Sequence, residues 1–495
     1  MSFARLSVTR GTVLTVAMRW TDRLIGLVST IILARLLAPD DIGVIAMATL
    51  VIALADVLLD LGVNIALIRN RDATQAHFDT AWTLRLIQTT LSTLILFLAA
   101  PMAADYFQDA RVELVLRILA FTLLLSGLEN IGIIDFHKAM QFGAEFRFLF
   151  LRRIAGFLIT MVAAWTLRSY WALVIGTLAT RGIGVGLSYW MHPMRPRLSL
   201  AKLREILGVS QWLLLRGIGE FLLSNLHRIL VGRWAPTSTL GAYTLANEIA
   251  TMPSAELLAP MNRALFPALA EAGTNSPELK RLFLLAQGLQ TLLAIPAAVG
   301  LALVAGEVVA VLLGDQWHEA VPLLQLLALM GVVQALTATS GYLLLVLGRL
   351  AEATGLIWIQ VMLFAILALA LCPGGSAIEI AALRLTAAVV AVGLTIWLLL
   401  RVLPVLRLAE FIAVIYRPVL GALLMALSIV AVDALSEQPP VILLAFKILV
   451  GFLVYLAVIL FAWRLSRCPA GAESWLLDKV RTAQMKRRKD DRKFA

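Results

Sequence analysis

Charge is the first thing this chain lacks. Only 15% of its 495 residues are Asp, Glu, Lys or Arg, where a soluble surface carries about 25%. That shortfall excludes a water-soluble globular enzyme. Cysteine is nearly absent too. Cys372 and Cys468 stand far apart, which leaves no disulfide framework and no metal-ligand spacing. The histidines His77, His137, His192, His227 and His318 are dispersed, and neither a G-x-x-x-x-G-K-[ST] phosphate loop nor an H-E-x-x-H pair occurs. Motifs for ATP-driven or zinc-dependent chemistry are missing.

What the chain has instead is apolar sequence in long blocks, with 61% hydrophobic residues. A helix crossing a hydrocarbon core about 30 Å thick needs roughly 20 such residues. Blocks of that length recur from 11 to 465, and unpaired backbone is not tolerated in lipid, so they are read as helices. A β-barrel is excluded because Leu91–Ala100, Leu292–Val304 and Ile448–Ala462 do not alternate. The N-terminal run holds Arg19, Asp22 and Arg23 and lacks a cleavage signature, so it is read as a retained helix rather than a signal peptide. The predicted spans are 11–37, 42–66, 80–104, 112–134, 147–167, 169–191, 209–234, 239–268, 282–313, 320–347, 350–371, 377–402, 409–433 and 440–465.

Loop charge orients these spans. With the N-terminus inside, 27 of the 42 Lys and Arg fall in inner loops and termini and four (Arg35, Arg111, Arg168 and Arg233) in outer ones. Inner loops are the basic ones, so both ends are predicted to be cytoplasmic, which requires an even helix count. Ten of the inner cations lie in the tail from Arg464 to Ala495. The run KRRKDD (486–491) suits either anionic lipid or plain solvation. A net charge of +11 distributed in this way is a membrane pattern and does not point to nucleic acid.

An internal repeat is visible at an offset of 198 residues. Asp22 falls on Glu220, Arg35 on Arg233, Gly43 on Gly241, Ala48 on Ala246, Asn64 on Asn262 and Leu67 on Leu265. Parallel repeats of six helices are one architecture of alternating-access transporters, with a site between the halves. The expectation is an all-α integral membrane protein of about fourteen transmembrane helices, in two six-helix lobes plus two extra C-terminal helices. The N-lobe covers 1–197 and the C-lobe 209–403. Between them, LSLAKLREIL within 198–208 reads as an amphipathic helix at the inner interface. Helices 13 and 14 cover 404–465, followed by a basic cytoplasmic tail at 466–495.

Four segments carry a family resemblance: ARLLAPDDIGV (34–44), DLGVNIALIR (60–69), LAPMNRALFPALAE (258–271) and LLGDQWHEAVPLLQLLALMG (312–331). With the helix count and the paired lobes, the chain resembles the polysaccharide transporter (Wzx-type flippase) branch of the multidrug/oligosaccharidyl-lipid/polysaccharide exporter superfamily, the colanic-acid-exporter type above all. The resemblance implies a bacterial inner-membrane flippase that moves a polyprenyl-pyrophosphate-linked oligosaccharide for surface polysaccharide biosynthesis. It implies no cofactor beyond a coupling ion, proton or sodium. The partners it implies are membrane lipids and the polysaccharide polymerase machinery.

Ionisable groups at membrane depth are costly and face a cavity or a partner. Arg19, Arg23, Arg85, Arg181, Arg216, Arg228 and Arg263 are the candidate cavity cations, because guanidinium groups grip phosphate oxygens in a bidentate fork. Arg117, Arg384, Arg417 and Lys447 are expected to snorkel or pair locally. Asp22, Asp56, Asp60, Glu220, Glu248 and Glu256 are the candidate ion-coupling acids. Asp22 and Glu220 also suit simple neutralisation of neighbouring Arg, and His227 falls on the face of Glu220. Asp56 and Asp60, four apart on one face, resist ionising together, which suits a proton carrier. Glu248 and Glu256 flank Pro253, a candidate kink. Glu129 near the inner end of helix 4 reads as interfacial. Gly182, Gly184 and Gly186 are expected to let helices approach closely.

Other readings predict different features. A membrane-embedded polymerase or ligase needs a long outer loop for its catalytic groups, and every outer loop here is short. A drug or cation exporter predicts an acid-lined cavity. A peptidoglycan-precursor flippase shares the anionic cargo chemistry.

Overall fold

Long apolar runs leave the backbone no partner but itself, and the described chain is helical throughout. The computed structural model describes residues 2–59, 62–63, 67, 72–139, 141–206, 211–273, 276–435, 438–469, 471–479 and 482. Among them are fourteen helices of eighteen residues or more, one in each predicted span. These are α1 (Ser2–Leu36), α2 (Pro39–Leu59), α3 (Gln75–Phe107), α4 (Arg111–Leu128), α5 (Phe142–Leu167), α6 (Trp171–Met191) and α7 (Gln211–Trp234). They continue with α8 (Thr237–Glu271), α9 (Pro277–Leu303), α10 (Ala320–Val346), α11 (Leu350–Leu371), α12 (Ala377–Val402), α13 (Leu408–Leu435) and α14 (Pro440–Leu465). Ten of them, α2, α3, α5, α6 and α9 to α14, are long and apolar enough to cross a membrane. The protein is a multi-pass membrane protein. Polar caps mark helix starts: the Ser276 hydroxyl accepts from Leu279 N at 2.9 Å, with Pro277 beginning α9.

The chain divides into two compact units, Met1–Thr244 and Leu245–Ala495, so the boundary falls inside α8. The first unit includes α7, which packs on α2. The division into units therefore does not coincide with the 198-residue repeat. The core of the first unit gathers Val44, Ala48, Leu116, Leu119 and Val174 from α2, α4 and α6. In the second unit α9 and α10 are the most enclosed helices, and α14 turns Phe446, Leu449, Phe452, Leu453 and Phe461 outward, as a lipid-facing helix does.

Glycines set the closest approaches, at positions other than those expected. A Cβ on Gly156 would lie 2.0 Å from the Thr180 hydroxyl, and one on Gly176 would lie 2.0 Å from that of Thr160. Each threonine hydroxyl donates to the carbonyl of the glycine four residues before it, at 2.7 Å for Thr160 and 2.6 Å for Thr180. This reciprocal Gly-x-x-x-Thr pair is what packs α5 on α6. Gly182 and Gly186 open onto empty space, and Gly184 makes room for the Arg152 side chain, not for a helix.

A second reciprocal pair joins the predicted outer ends of α2 and α8. A Cβ on Gly43 would lie 2.0 Å from the Thr237 carbonyl oxygen, and one on Gly241 would lie 2.0 Å from that of Pro39. The offset of 198 maps Gly43 onto Gly241 and Pro39 onto Thr237, so the two halves of the contact are repeat-related. The same corner holds Asp109. Its Oδ2 accepts from the Thr237 hydroxyl at 2.9 Å and from Arg111 at 2.7 Å. Burial pushes the Asp109 carboxyl up, but the Arg111 and Thr237 hydrogen bonds hold it below its ordinary value. Asp41 ties in the next loop by accepting from Tyr170 N at 2.9 Å.

The linker differs from its predicted form. Among its described residues the only helix is the four-residue Leu203–Ile206, and the segment before it is an extended strap stitched to the start of α3. Arg197 N donates to Asp79 Oδ1 at 3.0 Å, Ser199 N to Thr83 Oγ1 at 2.9 Å and Lys202 N to Thr80 Oγ1 at 3.2 Å. His77 meets Glu205 at 2.8 Å, and Ile206 is buried with Val63 and Phe78. Ile206 therefore spends its apolar surface on protein, not on lipid.

Two outcomes are expected. Gly43→Ala and Gly241→Ala each force backbone apart and lower thermal stability by about 1–3 kcal/mol, while Gly182→Ala, with nothing within 4 Å of its Cβ, is close to neutral in the same melts. Asp109 is held low when folded, so its contribution is complete above the ordinary carboxylate range and is lost as pH falls through the folded value. Asp109→Asn therefore loses stability at neutral pH and shows a shallower acid dependence than the parent.

Candidate functional site

Four charged side chains from four other segments of the first unit lie close enough to Arg85 for their charges to bear on it, and two of them, Arg152 and Glu129, are in direct contact. Arg85 of α3 feels the charges of Glu129, Arg181, Asp56 and Arg152. Asp56 comes from α2, Glu129 follows the last residue of α4, Arg152 lies eleven positions into α5 and Arg181 lies on α6. Three guanidinium groups against two carboxylates leave one positive charge in excess.

Each member has a distinct setting. Arg152 Nη1 lies 3.6 Å from Glu129 Oε1. Its guanidinium covers the Phe148 ring at 5.2 Å, and its stem passes over Gly184. At that separation the gross attraction is about 4–5 kcal/mol at an effective dielectric near 20, and desolvation cancels much of it. A phosphate oxygen can therefore compete for Arg152. Arg181 is exposed, beside the open positions Gly182 and Gly186. Arg85 is half-buried and Asp56 is exposed.

Sequence reasoning selected Arg85, Arg181 and Asp56 and missed the other two. It counted Arg152 and Arg153 with the inner-loop cations although the predicted span 147–167 contains both, and α5, which begins at Phe142, carries them well inside the helix. It read Glu129 as interfacial, yet that side chain is only 13% exposed. The visible signal was the Arg152–Arg153 dipeptide following the apolar run FLFL (148–151).

The two adjacent arginines face different helices. Arg153 Nε pairs with Asp22 Oδ1 at 3.1 Å, and its guanidinium covers Gly26, one turn further along α1. Asp22 is therefore met by a cation of α5. Arg23 is half-buried and engaged in an interaction of its own.

The remaining candidates are spread elsewhere. Arg216 pairs with Glu220 at 2.6 Å within α7, the neutralisation expected. His227 is buried and its Nε2 bonds to the Ser224 carbonyl at 2.9 Å. Arg228 donates to Asn225 at 2.5 Å. Glu248 and Glu256 are half-buried and engaged, and α8 continues through Pro253 without interruption. Asp60 lies outside the described residues, as do the side chains of Arg19 and Arg263. Arg117 pairs with Glu113 at 2.9 Å, and Arg417 with Glu473 at 2.7 Å. Lys447 is buried between Glu307 and Asp433, so these cations pair locally as expected.

Against this geometry the comparisons are direct. Residues 32–322, more than half of the chain, match the family described as "Polysaccharide biosynthesis protein". The chain belongs to that family. Among its relatives is the "Lipopolysaccharide biosynthesis protein WzxC" of Escherichia coli, 26% identical over 66% of this chain and 67% of that one. The "Teichuronic acid biosynthesis protein TuaB" of Bacillus subtilis is 25% identical over 60% of this chain, and the match spans about 62% of that relative's length. A solved structure of the lipid II flippase MurJ in an inward closed conformation aligns over 91% of this chain and 99% of its own, with a TM-score of 0.70 at 12% identity. The MATE multidrug transporter DinF-BH aligns over 81% and 97% with a TM-score of 0.55 at 16% identity. These structures share the fold of this family member.

Removing either acid tests the pairing. Glu129→Gln strands the mostly enclosed Arg152 and is expected to lower stability by about 1–3 kcal/mol in thermal melts. Asp22→Asn breaks a pair that is 43% and 66% exposed, and the expected change is under about 1 kcal/mol.

Proposed function

We propose that this protein is a flippase for a polyprenyl-pyrophosphate-linked oligosaccharide, serving surface polysaccharide biosynthesis in a bacterial inner membrane. Family membership supports the class of cargo. The observation that carries the reading is the grouping of Arg85, Arg152 and Arg181 with Glu129 and Asp56, because among the described residues its excess charge is positive. Planar, permanently charged donors in a low-dielectric setting suit a diphosphate, whereas a cationic drug calls for the opposite sign. Both termini lie in the cytoplasm, a reading supported by the 25 inner cations that remain against four outer ones once Arg152 and Arg153 are placed in α5.

In this mechanism the head group enters from the inner face and takes Arg152 from Glu129. Glu129, freed of Arg152, then becomes a site that accepts a coupling proton. The α2 and α8 ends held by Gly43 and Gly241 part to release the head group outside and meet again for the next cycle. The exposed apolar face of α14 keeps contact with lipid throughout, and the polyprenyl tail stays in the bilayer.

The test is carried out in cells that depend on the protein. Arg85→Gln and Arg181→Gln are expected to cut export of the finished polysaccharide by about 10- to 100-fold, the weight of one lost charge-assisted hydrogen bond to phosphate. The lipid-linked intermediate should accumulate in the inner leaflet at unchanged protein abundance. Full export in both variants would contradict the assignment of the cluster.

A further inference from the structure

The second unit contains a polar cluster that carries no charge and has no part in the mechanism above. Gln287 and Gln290 of α9 and Thr339 and Ser340 of α10 are all fully buried or nearly so. Thr339 donates its hydroxyl to Gln290 Oε1 at 2.7 Å. Gln287 donates Nε2 to the Ala335 carbonyl at 2.8 Å. A carbonyl only accepts, so this bond fixes which way the Gln287 amide points. Its Oε1 is left facing the interior without a hydrogen-bond partner, and the Ser340 hydroxyl oxygen is likewise unpartnered. Ala335 and Thr339 are one turn apart on α10, so the two glutamine amides reach the same stretch of that helix.

Buried oxygens without donors are expensive at membrane depth. Amide, hydroxyl and carbonyl oxygens are also the hard ligands that replace the hydration shell of an alkali cation. A shell with no carboxylate cannot offset a double charge, which excludes calcium and magnesium. We propose that Gln287, Gln290, Thr339 and Ser340 supply the oxygens of a sodium site inside the second unit. The site holds α9 to α10 more firmly when filled. Its use in coupling rests on the carrier reading above, but binding itself does not.

The experiment is thermal unfolding of the full-length protein in lipid nanodiscs, titrated with sodium chloride against choline chloride at constant ionic strength. A saturable rise in melting temperature with sodium and none with choline is expected. Gln287→Leu is expected to move the midpoint of that rise by at least about tenfold, the effect of roughly one lost ligand. Ser340→Ala, a milder change, gives a weaker shift in the same direction should the first variant not fold. Thr337→Val, whose hydroxyl bonds only its own helix at 2.9 Å, retains the parent response. Identical melts in sodium and choline would overturn the site, and so would a sodium response preserved in both the Gln287 and Ser340 variants. Export that proceeds without sodium, with the melts identical, would remove this site and leave the flippase reading standing.

Discussion

A guanidinium at membrane depth must be answered by a carboxylate, a ring or a carbonyl, and this constraint organises the first unit. Arg153 reaches Asp22 across α1, Arg216 turns to Glu220 on its own helix, and Arg117 lies over Phe97 beside Glu113. Each of these cations has close to one acid. The group around Arg85 departs from that balance, with three cations sharing two acids. Surplus positive charge is the sign that an anion would require under the proposed function, and the Arg152–Glu129 pair, at 3.6 Å, is the contact such an anion would exchange. Stability and function draw on the same charges, so conservative removal of an acid is felt in both.

The glycine contacts supply the mechanical counterpart. Side chains slide past one another by changing rotamer, but a backbone carbonyl seated where a Cβ would be has no such freedom. Gly43 against Thr237 and Gly241 against Pro39 therefore give the outer ends of α2 and α8 a definite closed position. The two halves of this contact lie 198 residues apart, the offset of the sequence matches. The Asp109, Arg111 and Thr237 network surrounds it with polar bonds that water can replace when the ends part.

Much of the fold was legible from the amino-acid sequence, because twenty-residue apolar blocks admit one backbone solution. All fourteen predicted spans contain a long helix, and Gly43 and Gly241 were paired by their spacing alone. Helix ends were less legible. Phe142 to Phe146 reads as loop because Glu145 and Arg147 interrupt it, yet α5 starts there, and Arg152, counted with the inner-loop cations, lies well inside the helix. Glycine packing was misassigned for a related reason: Gly182, Gly184 and Gly186 form the more conspicuous string, but the glycines that seat α5 on α6 are Gly156 and Gly176, each recognised only by the threonine opposite. The linker was read as a lipid-facing helix, since 198–207 is amphipathic. Nothing local reveals that Asp79, Thr80 and Thr83 wait on α3 to bind its backbone.

Reconstitution tests the central claim most directly. Purified protein in sealed vesicles would be given a fluorescent polyprenyl-pyrophosphate-linked oligosaccharide, and exposure of its sugar on the opposite face would be followed with an impermeant lectin. The charge cluster predicts movement that depends on the protein, is blocked by inorganic pyrophosphate and is absent for a cationic dye. Sugar that stays on its original side while the dye crosses would contradict it.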